Sequence, residues 1–261
     1  MKPTRLTISL LAIPLLVGLL ASCGADSPIA STHPLQQQVD KLVFVQGGTF
    51  MMGDAGYTNP QGEFSYFSGG DRNKPAHQVT LSSYSIQAYE TTFREFDTYM
   101  TSIGEKILRP ENRHRQNAQP DYPAKWMTWY QAQGYCQWLG NKIGYPMSLP
   151  TEAQWEYAAR SRGKTVAYAT DNGVWERGRN MRDPVKVGHA MPVGSWPPNP
   201  LGLYDMTGNV WEWTVDFWHP YEKEPLSDPN FNNDETAYYT GQRISRGGAY
   251  SVESPFMAVN Q

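Results

Sequence analysis

The sequence predicts an α+β domain that is rich in loops, with only a few short helices and strands. Three observations point there. The 261 residues include 23 Gly and 20 Pro, too many for long uninterrupted elements. Three Thr-x-x-Glu/Gln capping boxes mark short helices, and short runs of β-branched and aromatic residues beside glycine mark short strands. Aromatic residues make up 13% of the chain, from 9 Trp, 16 Tyr and 9 Phe, and supply large core side chains to a fold with little regular structure.

At the start, Lys2 and Arg5 precede a largely apolar run from Leu6 to Leu20. That run is too short for a membrane span and has the form of a secretory signal. It ends in Leu20-Ala21-Ser22-Cys23, which looks like the bacterial lipobox, in which the cysteine is acylated and becomes the new N-terminus. The expected division is a lipoprotein signal peptide over 1–22, a Ser-, Thr-, Pro- and Gln-containing tether over 23–40, and one domain over 41–261. Gly24 after Cys23, rather than Asp, resembles the Gram-negative signal for the outer membrane, which gives a lipid-anchored protein on the periplasmic side. More than one acyl chain is needed for durable anchoring.

Leu42–Met52 predicts a strand, a tight turn at Gly47-Gly48, and a second short strand; residues 79–89 predict another strand region. Thr92-Phe-Arg-Glu95 opens a helix that should stop near Gly104. Thr128-Trp-Tyr-Gln131 opens a second, closed by Gly140, and Thr151-Glu-Ala-Gln154 opens a third after Pro150. Beyond Arg160 the helical pattern fades.

The net charge of −3 and pI near 6.0 lack the basic footprint of a nucleic-acid binder. Cys23 and Cys136 are too few for a disulfide scaffold or a multi-cysteine metal cluster, and with Cys23 acylated Cys136 is expected as a buried thiol. The histidines His33, His77, His114, His189 and His219 show no helical metal spacing, and His77 reads as a packed histidine. Asp216 and His219 read as a solvated polar edge. Asp228-x-Asn230-x-Asn232 begins like an EF-hand loop, but Asn233 stands where the turn glycine belongs and Tyr239 where the bidentate Glu belongs. The pairs Trp126/Trp129 and Trp211/Trp213 read as core packing rather than a ligand floor.

Several stretches, in order, resemble the formylglycine-generating enzyme (sulfatase-modifying factor) family. They include Phe44-Val-Gln-Gly-Gly-Thr-Phe-Met-Met-Gly53, Tyr89-Glu-Thr-Thr-Phe-Arg-Glu-Phe96 and Leu149-Pro-Thr-Glu-Ala-Gln-Trp-Glu-Tyr-Ala-Ala-Arg160. They continue with Gly202-Leu-Tyr-Asp-Met-Thr-Gly-Asn-Val-Trp-Glu-Trp213 and Arg246-Gly-Gly248. The resemblance covers about 42–250 and implies a fold related to C-type lectins. Members include copper oxygenases that make formylglycine, an oxidase of pyoverdine assembly and a domain of ergothioneine sulfoxide synthases; others are binding or structural domains, so the fold alone does not set the function.

In the copper-dependent members two cysteines follow the Gly-Gly-Ser segment, and a soft thiolate pair suits Cu(I). Here Val252 and Met257 stand at those positions, Ala249 replaces the serine, and Phe256 replaces an active-site tyrosine. Copper is therefore not expected, and no catalytic residue is assigned. The sequence stops at Gln261, before the place of the family's usual last strand, which implies either that this strand is absent or that the sequence is a fragment. One site survives: the resemblance implies a structural Ca²⁺ held by positions matching Asp205, Gly208, Val210 and Glu212, two carboxylates around a glycine turn. Asp205 replaces a neutral Asn found in some members. A weaker second calcium site maps to Asn180, Met181, Asp183 and Val185. The functional expectation is a binding or accessory module with an unknown protein or small-molecule partner in the envelope. The alternative is a periplasmic oxidoreductase with a different site, such as one in siderophore maturation.

Overall fold

The structure, a computed structural model, describes residues 34–58, 61–67, 70–107, 118–181, 188–233 and 241–251. All fall in one compact unit, 33–261. The signal peptide, Cys23 and residues 24–33 lie outside the described residues.

Helix α1 (Pro34–Asp40) corrects the tether boundary. Its Gln38 donates to Glu95 Oε1 at 2.8 Å and accepts from Gln87 Nε2, so residues 34–40 are docked on the domain. Lys41 adds an ion pair to the same Glu95.

The strands β1 (Leu42–Val45) and β2 (Gly48–Met52) follow each other but join different sheets. β1 pairs antiparallel with β6 (Tyr84–Gln87), and β2 with β5 (His77–Leu81). The crossing at Gly47 explains the choice of residue: a Cβ there would lie 2.2 Å from the Leu81 carbonyl oxygen. Between them a small ribbon pairs β3 (Tyr57–Thr58) with β4 (Phe64–Ser65). β5 alternates inward and outward, with His77, Val79 and Leu81 buried, as expected of a strand with one face on the core. Later in the chain β7 (Glu212–Phe217) pairs with β9 (Arg243–Arg246), and β8 (Leu226–Ser227) lies parallel to β5.

All three predicted capping boxes form. In α2 (Phe93–Ser102), α3 (Trp129–Ile143) and α4 (Glu152–Ala159) the Thr hydroxyl accepts from the N3 amide while Glu95, Gln131 or Gln154 reaches back. The end of α3 differs from expectation. It runs through Gly140 and closes at Gly144, in the left-handed conformation at φ 77°. Gly140 serves close packing instead, since a Cβ would meet the Tyr145 carbonyl oxygen at 2.5 Å.

One core cluster gathers Val45, Phe50, Val79, Trp155, Tyr157 and Leu203; a second packs α2 on α3 through Phe93, Phe96, Tyr135 and Leu139. Helix α4 is buried on nearly every side, including Glu152, Glu156 and Arg160. Its acids are met by charge. Arg246 of β9 donates to Glu152 and Glu156, both at 2.8 Å, and Arg160 donates to Glu156 at 2.9 Å. The guanidinium of Arg246 lies 5.3 Å from the centre of the Trp155 ring. Asp216 is buried rather than solvated, which corrects the sequence reading: it accepts from Glu152 N at 2.5 Å and Phe231 N at 2.6 Å. The strand β7 thereby caps α4, and a charged side chain pays its burial with two amides.

Candidate functional site

The segment before β7 is an irregular turn. Asp205 (φ 57°), Gly208 (φ 97°) and Asn209 (φ 53°) take left-handed conformations, so neighbouring carbonyls point in different directions. Gly208 N donates to Gly247 O at 2.7 Å, and Tyr250 N donates to Asn209 O at 2.8 Å. The turn is thus stitched to the 247–250 segment, where Ala249 is buried.

Three carboxyl groups converge on this turn. Asp205 Oδ2 accepts from Gly194 N at 2.6 Å, and Glu212 Oε2 accepts from Trp155 Nε1 at 2.8 Å. The third, Glu90, comes from a distant part of the sequence. It accepts from Asn209 Nδ2 at 2.6 Å and Val210 N at 3.1 Å. Sequence reading missed it, although an acid two residues before the capping-box Thr92, inside the Tyr89-Glu90-Thr-Thr stretch, was the available signal.

The electrostatics follow from this packing. Burial pushes the Glu212 carboxyl up to about 7, against the Trp155 hydrogen bond, and the Asp205 charge adds to the rise. Burial likewise lifts Asp205 to about 6, opposed by the Gly194 amide. Glu90 is raised well above the usual range by burial and then by Asp205 and Glu212. All four donors named here are neutral. Among the described residues Lys125 acts on Glu90, its charge favouring the ionised carboxyl, and its Nζ is enclosed without a hydrogen-bond partner.

Acids that disfavour one another's ionisation, beside a turn of divergent carbonyls, are the donor chemistry a hard divalent cation takes. Among the described residues no group of three or more His, Cys, Asp or Glu side chains is arranged to hold a metal by itself. A cation here depends on the backbone carbonyls.

The other sequence candidates separate clearly. Asn180 is buried and engaged, accepting from Glu176 N and donating to Asp171, Asn172 and Val174, while the Met181 carbonyl accepts from Gly178 N. Asp183 and Val185 lie outside the described residues, as do Val252, Phe256 and Met257. Asp228 accepts from the Ser82 amide and hydroxyl, each at 2.7 Å, and so ties two loops. His77 is buried edge-on to Tyr221, and His219 packs tilted against Phe231. Cys136 is a free thiol that burial raises to about 12, an inert group. Trp129 packs as expected, donating to Thr214 O under the Arg243 guanidinium. Trp126 and Trp211 do not: they are 50% and 47% exposed, and Trp126 holds a left-handed φ of 68°. The core tryptophan is Trp155 instead.

Beside the acidic turn a cavity of about 790 Å³ opens between β6, α3, the 145–150 segment and the start of β7. Glu90 and Glu212 reach its wall.

The description "Sulfatase-modifying factor enzyme 1-like domain" matches residues 28–261, and the chain belongs to this formylglycine-generating-enzyme family. It is 36% identical to the formylglycine-generating enzyme of Streptomyces coelicolor over 286 residues, covering 87% of this chain and 85% of that protein. It is 28% identical to the serine/threonine-protein kinase pkn1 of Chlamydia pneumoniae over 232 residues, which is 82% of this chain and 34% of the kinase. The chain thus spans about a third of the length of that relative. The structure of PvdO from Pseudomonas aeruginosa matches with a TM-score of 0.66 and 25% identity, covering 84% of this chain and 85% of that one. The mixed, loop-rich fold is that of the family.

Proposed function

We propose that this is a lipid-anchored envelope protein whose domain works as a binding or accessory module, without copper oxygenase chemistry. The observation that carries this reading is the joint loss of polar and thiol groups at one segment. Val252 and Met257 stand at the cysteine positions, with Ala249 for the serine and Phe256 for the tyrosine. Val252 has no donor atom, and a single thioether at Met257 is a poor substitute for two thiolates. The purified protein should bind Cu(I) no better than background and leave a sulfatase-type cysteine peptide unconverted. Mass spectrometry finding the aldehyde above a no-enzyme control would overturn this.

Calcium belongs to the same reading, as a structural ion. Asp205 and Glu212 would hold it with the carbonyls of Gly208 and Val210. The ion would supply the positive charge that lets these acids ionise. For the anchor, Cys23→Ser should abolish lipid labelling and release the protein from the membrane fraction; an unlabelled wild type that fractionates like the mutant removes it.

A second reading is a periplasmic oxidoreductase with a different active site, such as one maturing a siderophore. Likeness to an enzyme over most of the chain favours it. Oxygen uptake by the purified protein with a small-molecule substrate would select it.

A further inference from the structure

Beside the charge network of α4 two buried polar atoms have no hydrogen bond. Glu152 opens the helix, and its Oε1 accepts from Arg246 at 2.8 Å, while its Oε2 is sealed from solvent and unbonded. Tyr221, in the loop after β7, is buried as well, and its hydroxyl is likewise sealed and unbonded. The two groups act on each other. Burial raises the pKa of both; beyond that, the hydroxyl favours the ionised carboxyl, and the carboxylate disfavours ionisation of the hydroxyl. Both line one cavity of about 10 Å³, which Met52, Ala153 and Leu226 wall with apolar surface.

The other polar groups on this cavity are engaged elsewhere. Asp216 accepts from Phe231 N on one oxygen and from Glu152 N on the other. His77 Nδ1 lies 3.4 Å from the Pro75 carbonyl oxygen, and His219 Nδ1 lies 3.5 Å from that of Phe217. Among the described residues no group of acids and histidines is arranged here to hold a metal. The volume is on the scale of one water molecule, and far below the roughly 300 Å³ at which organic-ligand sites begin. Water also suits both groups in either protonation state. It donates to an ionised carboxylate and accepts from a protonated one, and a tyrosine hydroxyl turns to match. The fit therefore does not depend on the charge of Glu152.

We infer that this cavity binds a single water molecule as a fixed part of the fold, bridging Glu152 Oε2 to the Tyr221 hydroxyl. The water fastens the loop after β7 to the start of α4 and completes the hydrogen bonding of the acid that Arg246 neutralises. Unmet polar atoms at this depth are costly, and a bridging water removes both at once. The site shares no residue with the calcium position.

The test is a crystal structure of the full chain in detergent, at a resolution that shows ordered water, with Tyr221→Phe alongside. The wild type should show one water about 2.5–3.0 Å from both Glu152 Oε2 and the Tyr221 oxygen. Tyr221→Phe keeps the ring and removes one partner, so it should lose that water or hold it at clearly reduced occupancy. Oxygen-17 relaxation dispersion in solution should count one fewer long-lived water in the variant than in the wild type. A wild-type structure in which Tyr221 bonds Glu152 directly and the cavity is dry overturns the inference. So does a water that stays at full occupancy in Tyr221→Phe, because it is then held without the bridge. If Tyr221→Phe does not fold, the wild-type density alone decides.

Discussion

Around helix α4 the buried acids Glu152 and Glu156 meet two guanidinium groups, whereas Glu90, Asp205 and Glu212 at the acidic turn meet amides and an indole. Both regions bury carboxyl groups inside one domain. The first neutralises them with covalently attached cations from α4 and β9. The second fixes their positions and leaves much of the charge uncompensated. The difference separates scaffold from site: a guanidinium cannot leave or be exchanged, and a position whose carboxyl groups are hydrogen-bonded by neutral donors, with Lys125 acting on Glu90 alone, can accept a cation from solution.

The sharpest way to break this comparison is to remove the resident cation. Arg246→Met should cost about 3–5 kcal/mol, because it strands two buried acids in place, and denaturant midpoints measure it. Calcium, which stabilises the fold by mass action, should raise both proteins and leave the difference between them. If Arg246→Met cost less than Glu212→Gln, the assignment of scaffold and site would have to be exchanged.

Calcium sharpens the other half. An ion that binds only the folded state adds about 2.7 kcal/mol at a hundredfold excess over Kd. EDTA should lower the melting temperature, Ca²⁺ should restore it, and Glu212→Gln should blunt the response. Mg²⁺ should rescue poorly because it demands a tighter octahedron and dehydrates reluctantly. Identical melting curves in EDTA and in calcium would mean that hydrogen bonds alone hold the turn.

The smallest effect is the dependence on pH. A carboxyl raised in the fold holds its proton more tightly folded than unfolded, so stability falls as pH rises through that window. Without calcium the window for Glu212 runs from its ordinary 4.5 to about 7, and for Asp205 from 3.8 to about 6. Glu152 is also lifted to about 7, by burial that outweighs Arg246. Melting temperature against pH should therefore decline toward neutrality in EDTA, and saturating calcium should remove the part due to the turn. The Glu152 part should remain. A slope that calcium leaves unchanged would place the whole effect at α4.

The sequence displayed some of this more readily than the rest. The three capping boxes were legible because each is a contact over three residues, complete within its own stretch. Asp205 and Glu212 were legible through a family motif, and their enclosure was not, because it needs Trp155 and Gly194 from other segments. Glu90 was hidden for the same reason: its partners Asn209 and Val210 lie 119 and 120 residues away. Gly140 misled because a glycine inside a helix and a glycine that ends one look alike until the returning chain at Tyr145 is seen. Asp216 looked solvated because its two amide donors belong to α4 and the loop at Phe231.

Trp155 connects the two regions. Its indole N–H is bonded to Glu212, and its ring lies beside the Arg246 guanidinium. Occupancy of the turn would therefore be felt through one side chain by α4 and β9. The consequence is cooperativity: the amides of α4, β7 and β9 should open together in hydrogen exchange, as one unit with a shared opening free energy. A cation arriving at the turn would slow exchange throughout that unit rather than in the turn alone, so a local binding event would become a change in the breathing of the domain's centre.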